Sequence, residues 1–131
     1  MVVLRLMPIL GLDHVQVALP RDAEEGARAF YGGVLGLEEL PKPEPIRSRG
    51  GVWFRVGAQE LHLGIEEPFT PARKAHPGLL ADDLDAVRER LRAAGVAYED
   101  DSRVDGVDRL FVHDPFGNRL ELRASRRSEP G

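Results

Sequence analysis

The chain contains no cysteine. That absence removes disulfides, thiol nucleophiles and cysteine-type zinc sites together, and it fits a reducing compartment. Any metal must then be held by histidine and carboxylate side chains. Also missing is an excess of basic charge. The 18 Lys and Arg are scattered among 22 Asp and Glu, and the net charge is -4. No basic face is available to neutralise a phosphate backbone, so nucleic acid is not expected as a partner. Aromatic residues are scarce, and the single tryptophan and five phenylalanines are expected mostly in the core.

What is present is the balance of an ordinary soluble globular protein, 42% hydrophobic and 31% charged in 131 residues. That suits one core and no membrane association. The start, Met1-Val-Val-Leu-Arg-Leu-Met-Pro-Ile-Leu10, is apolar, but Arg5 interrupts it and no small-residue cleavage site follows. Residues 1–10 are therefore read as an N-terminal extension rather than a secretory signal, and the protein as cytoplasmic. Residues 124–131 offer almost nothing to pack and are expected to form a flexible tail.

Between these ends the chain is written twice. A strand-like run from Leu12 through His14 to Leu19 precedes a helix-like run from Asp22 to about Leu35, with Ala23, Ala27, Phe30 and Val34 at helical spacing. Gly32, Gly33 and Gly36 are expected to end that helix. Strands are expected at Glu38–Leu40, Val52–Val56 and Glu60–Ile65, with an irregular rim formed by Pro41–Pro45 and Arg47–Gly51. The order begins again at His76. A helix capped by Asp82 or Asp83 carries Leu84, Val87, Leu91 and Ala94 and stops at Gly95, and strands follow near Val96–Tyr98, Arg109–His113 and Arg119–Arg123. Asp114-Pro-Phe-Gly-Asn118 has the chemistry of a hairpin turn. The fold expected is α+β: two tandem βαβββ modules, 11–66 and 75–123 with a linker at 67–74, forming a cupped mixed β-sheet with helices on the convex face.

Strand parity divides each strand into an apolar and a polar face. His14, Gln16 and Ala18 oppose Val15, Val17 and Leu19; Glu60, His62 and Gly64 oppose Leu61, Leu63 and Ile65; Arg119, Glu121 and Arg123 oppose Leu120 and Leu122. The apolar faces need covering by the helices, which leaves the polar faces to line a concavity. His14 and His76 open the two halves, and His62 and Glu121 lie in the last strand of each. The spacings within the halves match, 48 residues from His14 to His62 and 45 from His76 to Glu121. Taken alone, each histidine on a strand reads as a surface or core residue, as His113 does. Repeat-equivalent placement argues for one site instead, and pseudo-twofold symmetry is expected to bring the four together. Three imidazoles and a carboxylate suit Zn, Ni, Co, Mn or Fe(II).

The pattern Leu12-Asp-His14-Val, Ala29-Phe-Tyr-Gly-Gly-Val-Leu-Gly-Leu37, Glu60-Leu-His62-Leu, His76, Asp82-Asp-Leu-Asp85 and Asp114-Pro-Phe-Gly-Asn-Arg-Leu-Glu121-Leu resembles the glyoxalase, bleomycin-resistance and extradiol-dioxygenase group, the vicinal oxygen chelate superfamily, over nearly all of residues 11–123. The resemblance implies a homodimer of paired modules with a divalent metal on His14, His62, His76 and Glu121, chelating two vicinal oxygens of a small substrate. It also implies Glu121 as a catalytic base, and Gln16, Trp53, Arg55, Phe111 and Arg119 are the expected substrate contacts. Departures narrow the reading. Ala18 and Glu66 stand where glutathione-using lyases of the group carry arginine and asparagine, Phe111 stands where the dioxygenases carry tyrosine, with no histidine at 102–104, and Gln16 replaces the threonine of fosfomycin-modifying members. The expectation is a metal-dependent lyase, isomerase or dioxygenase-like enzyme of unassigned substrate; the alternative is a non-catalytic small-molecule binding protein of the bleomycin-resistance type.

Overall fold

The computed structural model describes residues 8–101 and 106–125. Most of the expected N-terminal extension, most of the tail and the 102–104 segment lie outside them. In the first half, β1 (His14–Leu19) runs parallel to β4 (Gln59–Ile65), which pairs antiparallel with β3 (Val52–Val56), itself paired with β2 (Glu38–Leu40). The second half repeats the arrangement: β5 (Gly78–Ala81) parallel to β8 (Arg119–Ala124), then β7 (Arg109–His113) and β6 (Tyr98–Asp100). The expected tandem βαβββ modules are present, each as a four-stranded mixed sheet with β1 or β5 at one edge.

Alternation decides which face each sheet buries. Leu19, Phe54, Leu61 and Leu63 of the first sheet and Leu110, Val112, Leu120 and Leu122 of the second are all buried, and they join Ala27, Phe30, Tyr31, Leu84 and Leu91 from the helices in one core. Each large apolar side chain so removed from water contributes about 1.5–3 kcal/mol. Among the described residues no helix is long and apolar enough to cross a membrane.

The helices depart from the sequence reading in two places. The first, α1 (Glu24–Ala27), continues as a π-helical segment, Arg28–Val34, in which Leu35 N–H reaches five residues back to Phe30 C=O at 2.9 Å. Gly32 and Gly33 therefore lie inside the helix, and only Gly36, at φ +77°, ends it. Glycine is weakly helical by itself, but here the wide turn is held by burial of the adjacent Phe30 and Tyr31. The rim also contains a short helix, α2 (Glu44–Arg47). Pro45 is tolerated there because first-turn N–H groups have no intrahelical acceptor. The third helix, α3 (Leu84–Ala93), is capped by Asp83, whose carboxylate accepts from Ala86 N–H at 3.0 Å, and Gly95 (φ +71°) follows it.

The halves are latched by the Asp114–Asn118 turn. The buried Asp114 carboxylate accepts from Phe116 N–H (2.9 Å), Asn118 N–H (2.8 Å), the Asn118 amide (2.8 Å) and the Tyr31 hydroxyl of the other half (2.7 Å). Asn118 also donates to Ala18 C=O on β1 at 2.8 Å. Burial and the Asp114 charge push the Tyr31 phenol far above its ordinary pKa, so it remains a donor. Removing that donor leaves a buried carboxylate short of one partner. Tyr31→Phe is expected to cost about 1.5–3 kcal/mol in urea unfolding with an unchanged m-value. Tyr98→Phe, at a hydroxyl with no hydrogen-bond partner among the described residues, is the control and is expected to stay within about 0.5 kcal/mol.

Candidate metal centre

On the polar face of the first sheet, β1 and β4 stand in a register that sets His14 beside Glu60 and Gln16 beside His62, and β3 sets Trp53 opposite His62. Three rings stack across three strands: Trp53 on His62 at 3.9 Å and 2°, and His62 on His14 at 4.2 Å and 14°. The tryptophan expected in the core thus lies on the polar face, while its neighbour Phe54 is fully buried. The stack buries His62 and leaves His14 half exposed. Each imidazole has a carboxylate on one nitrogen, Asp13 on His14 Nδ1 (2.9 Å) and Glu60 on His62 Nε2 (2.8 Å). The other nitrogens, His14 Nε2 and His62 Nδ1, have no hydrogen-bond partner among the described residues. Carboxylates placed so fix ring orientation. Nearly parallel stacked rings do not aim their in-plane nitrogens at one point, so one ion can be held by both imidazoles only if one ring turns out of the stack. The sequence reading missed both. Their signal was adjacency for Asp13 and same-face i, i+2 spacing for Glu60.

On the second sheet Glu121 is buried in the middle of β8. His76 lies two residues ahead of β5 rather than within it, because Pro77 has no N–H to continue the ladder. Its Nδ1 donates to Lys74 C=O at 2.8 Å, and its Nε2 stands 3.0 Å from Glu121 Oε1. A carbonyl only accepts, so Nδ1 carries the hydrogen, and a proton or a cation must lie between Nε2 and the carboxylate. The other carboxylate oxygen meets Arg109 (3.3 Å) and Arg123 (3.5 Å). Phe111 faces His76 edge-on at 5.3 Å and lies under the guanidinium of Arg119 at 4.1 Å. Of the remaining expected contacts, Gln16 lies over Gly64, and Arg55 is exposed and paired with Glu38 at 3.1 Å.

The four candidate ligands thus form two pairs, His14 with His62 and His76 with Glu121. Within one chain the expected convergence of all four does not occur: among the described residues, no three His, Asp or Glu are placed to hold a metal. Parity put His14, His62 and Glu121 on the polar faces but carried no information on which two sheets face each other. A cleft of about 520 Å³ along the β1 and β5 edges is lined by His14 and Glu60 from one half and His76 and Arg119 from the other.

A family model described as the Glyoxalase/Bleomycin resistance protein/Dioxygenase superfamily matches residues 11–122. The chain belongs to this superfamily. Among solved structures, it is similar to a protein of the glyoxalase family from Bacillus anthracis, at 47% identity and TM-score 0.87 over 90% of this chain and 97% of that one. A lactoylglutathione lyase from Agrobacterium tumefaciens is 25% identical with TM-score 0.68, covering 95% and 100%. The fosfomycin resistance protein FosX from Listeria monocytogenes, at 19% identity and TM-score 0.70 over 89% and 94%, shares the fold. No curated protein matches.

Within this glyoxalase-superfamily chain, Glu121 is the acidic group with the most perturbed surroundings on the polar faces. Burial raises its pKa, but the His76 and Arg109 hydrogen bonds and the charges of Arg109 and Arg123 outweigh it and hold the carboxyl below its ordinary value. A carboxylate lowered in the folded state stabilises it above the unfolded pKa, and the contribution is lost as pH falls through the lowered folded value. Chelator-treated wild type and Glu121→Gln, compared in urea, are expected to differ most near pH 7 and to converge below the ordinary carboxylate value of about 4.3.

Proposed function

We propose that this chain is a metal-dependent, glyoxalase-like enzyme acting on a small oxygen-rich substrate, with a divalent ion held by His14, His62, His76 and Glu121, two from each of two chains in a homodimer. The observation that carries the reading is the His76–Glu121 pair. Its 3.0 Å separation matches the edge of about 3 Å between adjacent ligands of an octahedral ion whose bonds are roughly 2.0–2.2 Å, and the Lys74 carbonyl leaves Nε2 as the coordinating nitrogen. The donor set fits Zn, Ni, Co, Mn or Fe(II).

A second chain is invoked because each chain holds two half-centres and exposes apolar side chains where the halves end. β1 and β5 are sheet edges, and Leu12, on the approach to β1, and Leu80, on β5, are 69% and 71% exposed. Unpaired edges with exposed leucines call for cover, and a twofold dimer supplies it with the same surface twice.

A bound divalent ion supplies Lewis acidity toward two vicinal oxygens of the substrate. Glu121, held anionic by its cationic neighbours, is the residue suited to accept a proton from the carbon beside them. Phe111 walls the site, and Arg119, whose one hydrogen-bond acceptor among the described residues is the Lys74 carbonyl at 3.5 Å, is placed to meet an anionic oxygen. The cysteine-free composition supports a cytoplasmic setting.

Mixing His14→Ala with Glu121→Ala tests the shared centre. Each variant alone is expected to lose metal. Co-refolded in equal amounts, they are expected to recover about one quarter of the wild-type sites, since half the dimers are mixed and each of those has one intact site of two. No recovery would place all four ligands within one chain, and metal retention by both variants would sink the metal reading in favour of a non-catalytic binding protein. Ala18 and Glu66 offer no cation for a glutathione carboxylate, so methylglyoxal with glutathione is expected to turn over no faster than the uncatalysed background.

A further inference from the structure

A second cavity, about 230 Å³, lies on the polar face of the first sheet under the rim that carries α2. Its walls include Lys42 and Arg49 and no carboxylate, in a chain whose net charge is -4. Arg49 makes no ion pair among the described residues. Lys42 Nζ donates to Gly50 C=O. Glu24, whose carboxylate feels the Lys42 charge, is turned to Gly51 N–H at 2.9 Å and lines an adjoining hollow that Lys42 shares, which leaves Arg49 as the cation of this cavity with no carboxylate partner among the described residues. The remaining walls are apolar, with Ile65 on one side and Trp53 on another.

The floor is made by an omission. Gly64 lies inside β4, where glycine weakens a strand and marks a close approach. A Cβ there would stand 2.5 Å from Gln16 Nε2, so the Gln16 amide rests on the bare backbone. That amide has no hydrogen-bond partner among the described residues. Gln16 and Trp53 are both register partners of His62, so the cavity adjoins the proposed metal half-centre.

We infer that this cavity is the subsite for an anionic end of the substrate, a carboxylate carried on a small apolar body. Arg49 and Lys42 receive the charge, the Gln16 amide donates to a carboxylate oxygen, and Trp53 and Ile65 pack the body. The volume suits a small group, being below the pockets of about 300 Å³ and more that hold drug-sized ligands. The inference builds on the proposed function, since it locates the substrate beside His62.

The test uses benzoate as probe, benzamide as its neutral counterpart and inorganic phosphate as competitor, on the full chain after chelator treatment. Trp53 is the single tryptophan, so its emission reports the cavity directly. Benzoate is expected to shift that emission saturably, benzamide to have little effect and phosphate to compete weakly. Arg49→Gln is expected to weaken benzoate about tenfold through loss of a charge-assisted hydrogen bond. Gly64→Ala, at a backbone any residue adopts, is expected to weaken it similarly by displacing the amide, with an unchanged melting temperature. Equal binding of benzamide, or no effect of Arg49→Gln, overturns the anion subsite; phosphate binding as tightly as benzoate overturns the apolar body. Because the assay contains no metal, benzoate binding by a chain that fails to take up Zn or Co defeats only the metal reading, and the reverse result defeats only the subsite.

Discussion

The buried carboxylate of Asp114 is the interaction on which the arrangement depends. It closes its own hairpin through Phe116 and Asn118 and receives the Tyr31 hydroxyl from the other half, and the turn it shapes places Asn118 against β1. A buried charge with four donors is tolerable, whereas one with fewer is costly. The relative placement of the two sheets is therefore tied to one residue's hydrogen-bond inventory as well as to the apolar core.

That placement turns the apolar faces of both sheets and the helices toward a shared interior and leaves the ligand-bearing faces outward. A duplicated module explains why each half carries a pair of candidate ligands, one near its first strand and one on its last. It also separates the pairs, since the halves of one chain are joined through their backs. Among the described residues the same arrangement leaves β1 and β5 as sheet edges, so the separated pairs and the bare edges have one origin.

Much of this was legible in the sequence because it follows from parity. Alternation in β4 placed His62 and Glu60 on one face and Leu61 and Leu63 on the other, and the capping chemistry of Asp83 and the φ of Gly95 bounded α3 nearly to the residue. Parity failed where the period was neither two nor 3.6. The helix through Gly32 and Gly33 is wider than its spacing implied, and α2 was obscured by the prolines that its first turn can accept. Apolar character pointed Trp53 to the core while strand position made it a candidate wall of the site, and the parity that buries Phe54 turns Trp53 to the polar face. Which faces meet was not legible at all, because residue spacing within one chain says nothing of how separate sheets associate.

The wide turn also makes the length of the first helix part of the fold's specification. In an α-helix each residue advances the chain by about 100°. The Arg28–Val34 segment turns by less than that per residue, with bonds five residues back instead of four, and still brings Phe30 and Tyr31 to the core together. Removing either Gly32 or Gly33 would leave every side chain chemically unchanged, yet it would let the segment relax to the narrower helix and rotate Tyr31 away from Asp114. Here an alignment gap of one residue would matter more than most substitutions, because it would remove one tie between the two halves without touching either candidate ligand pair.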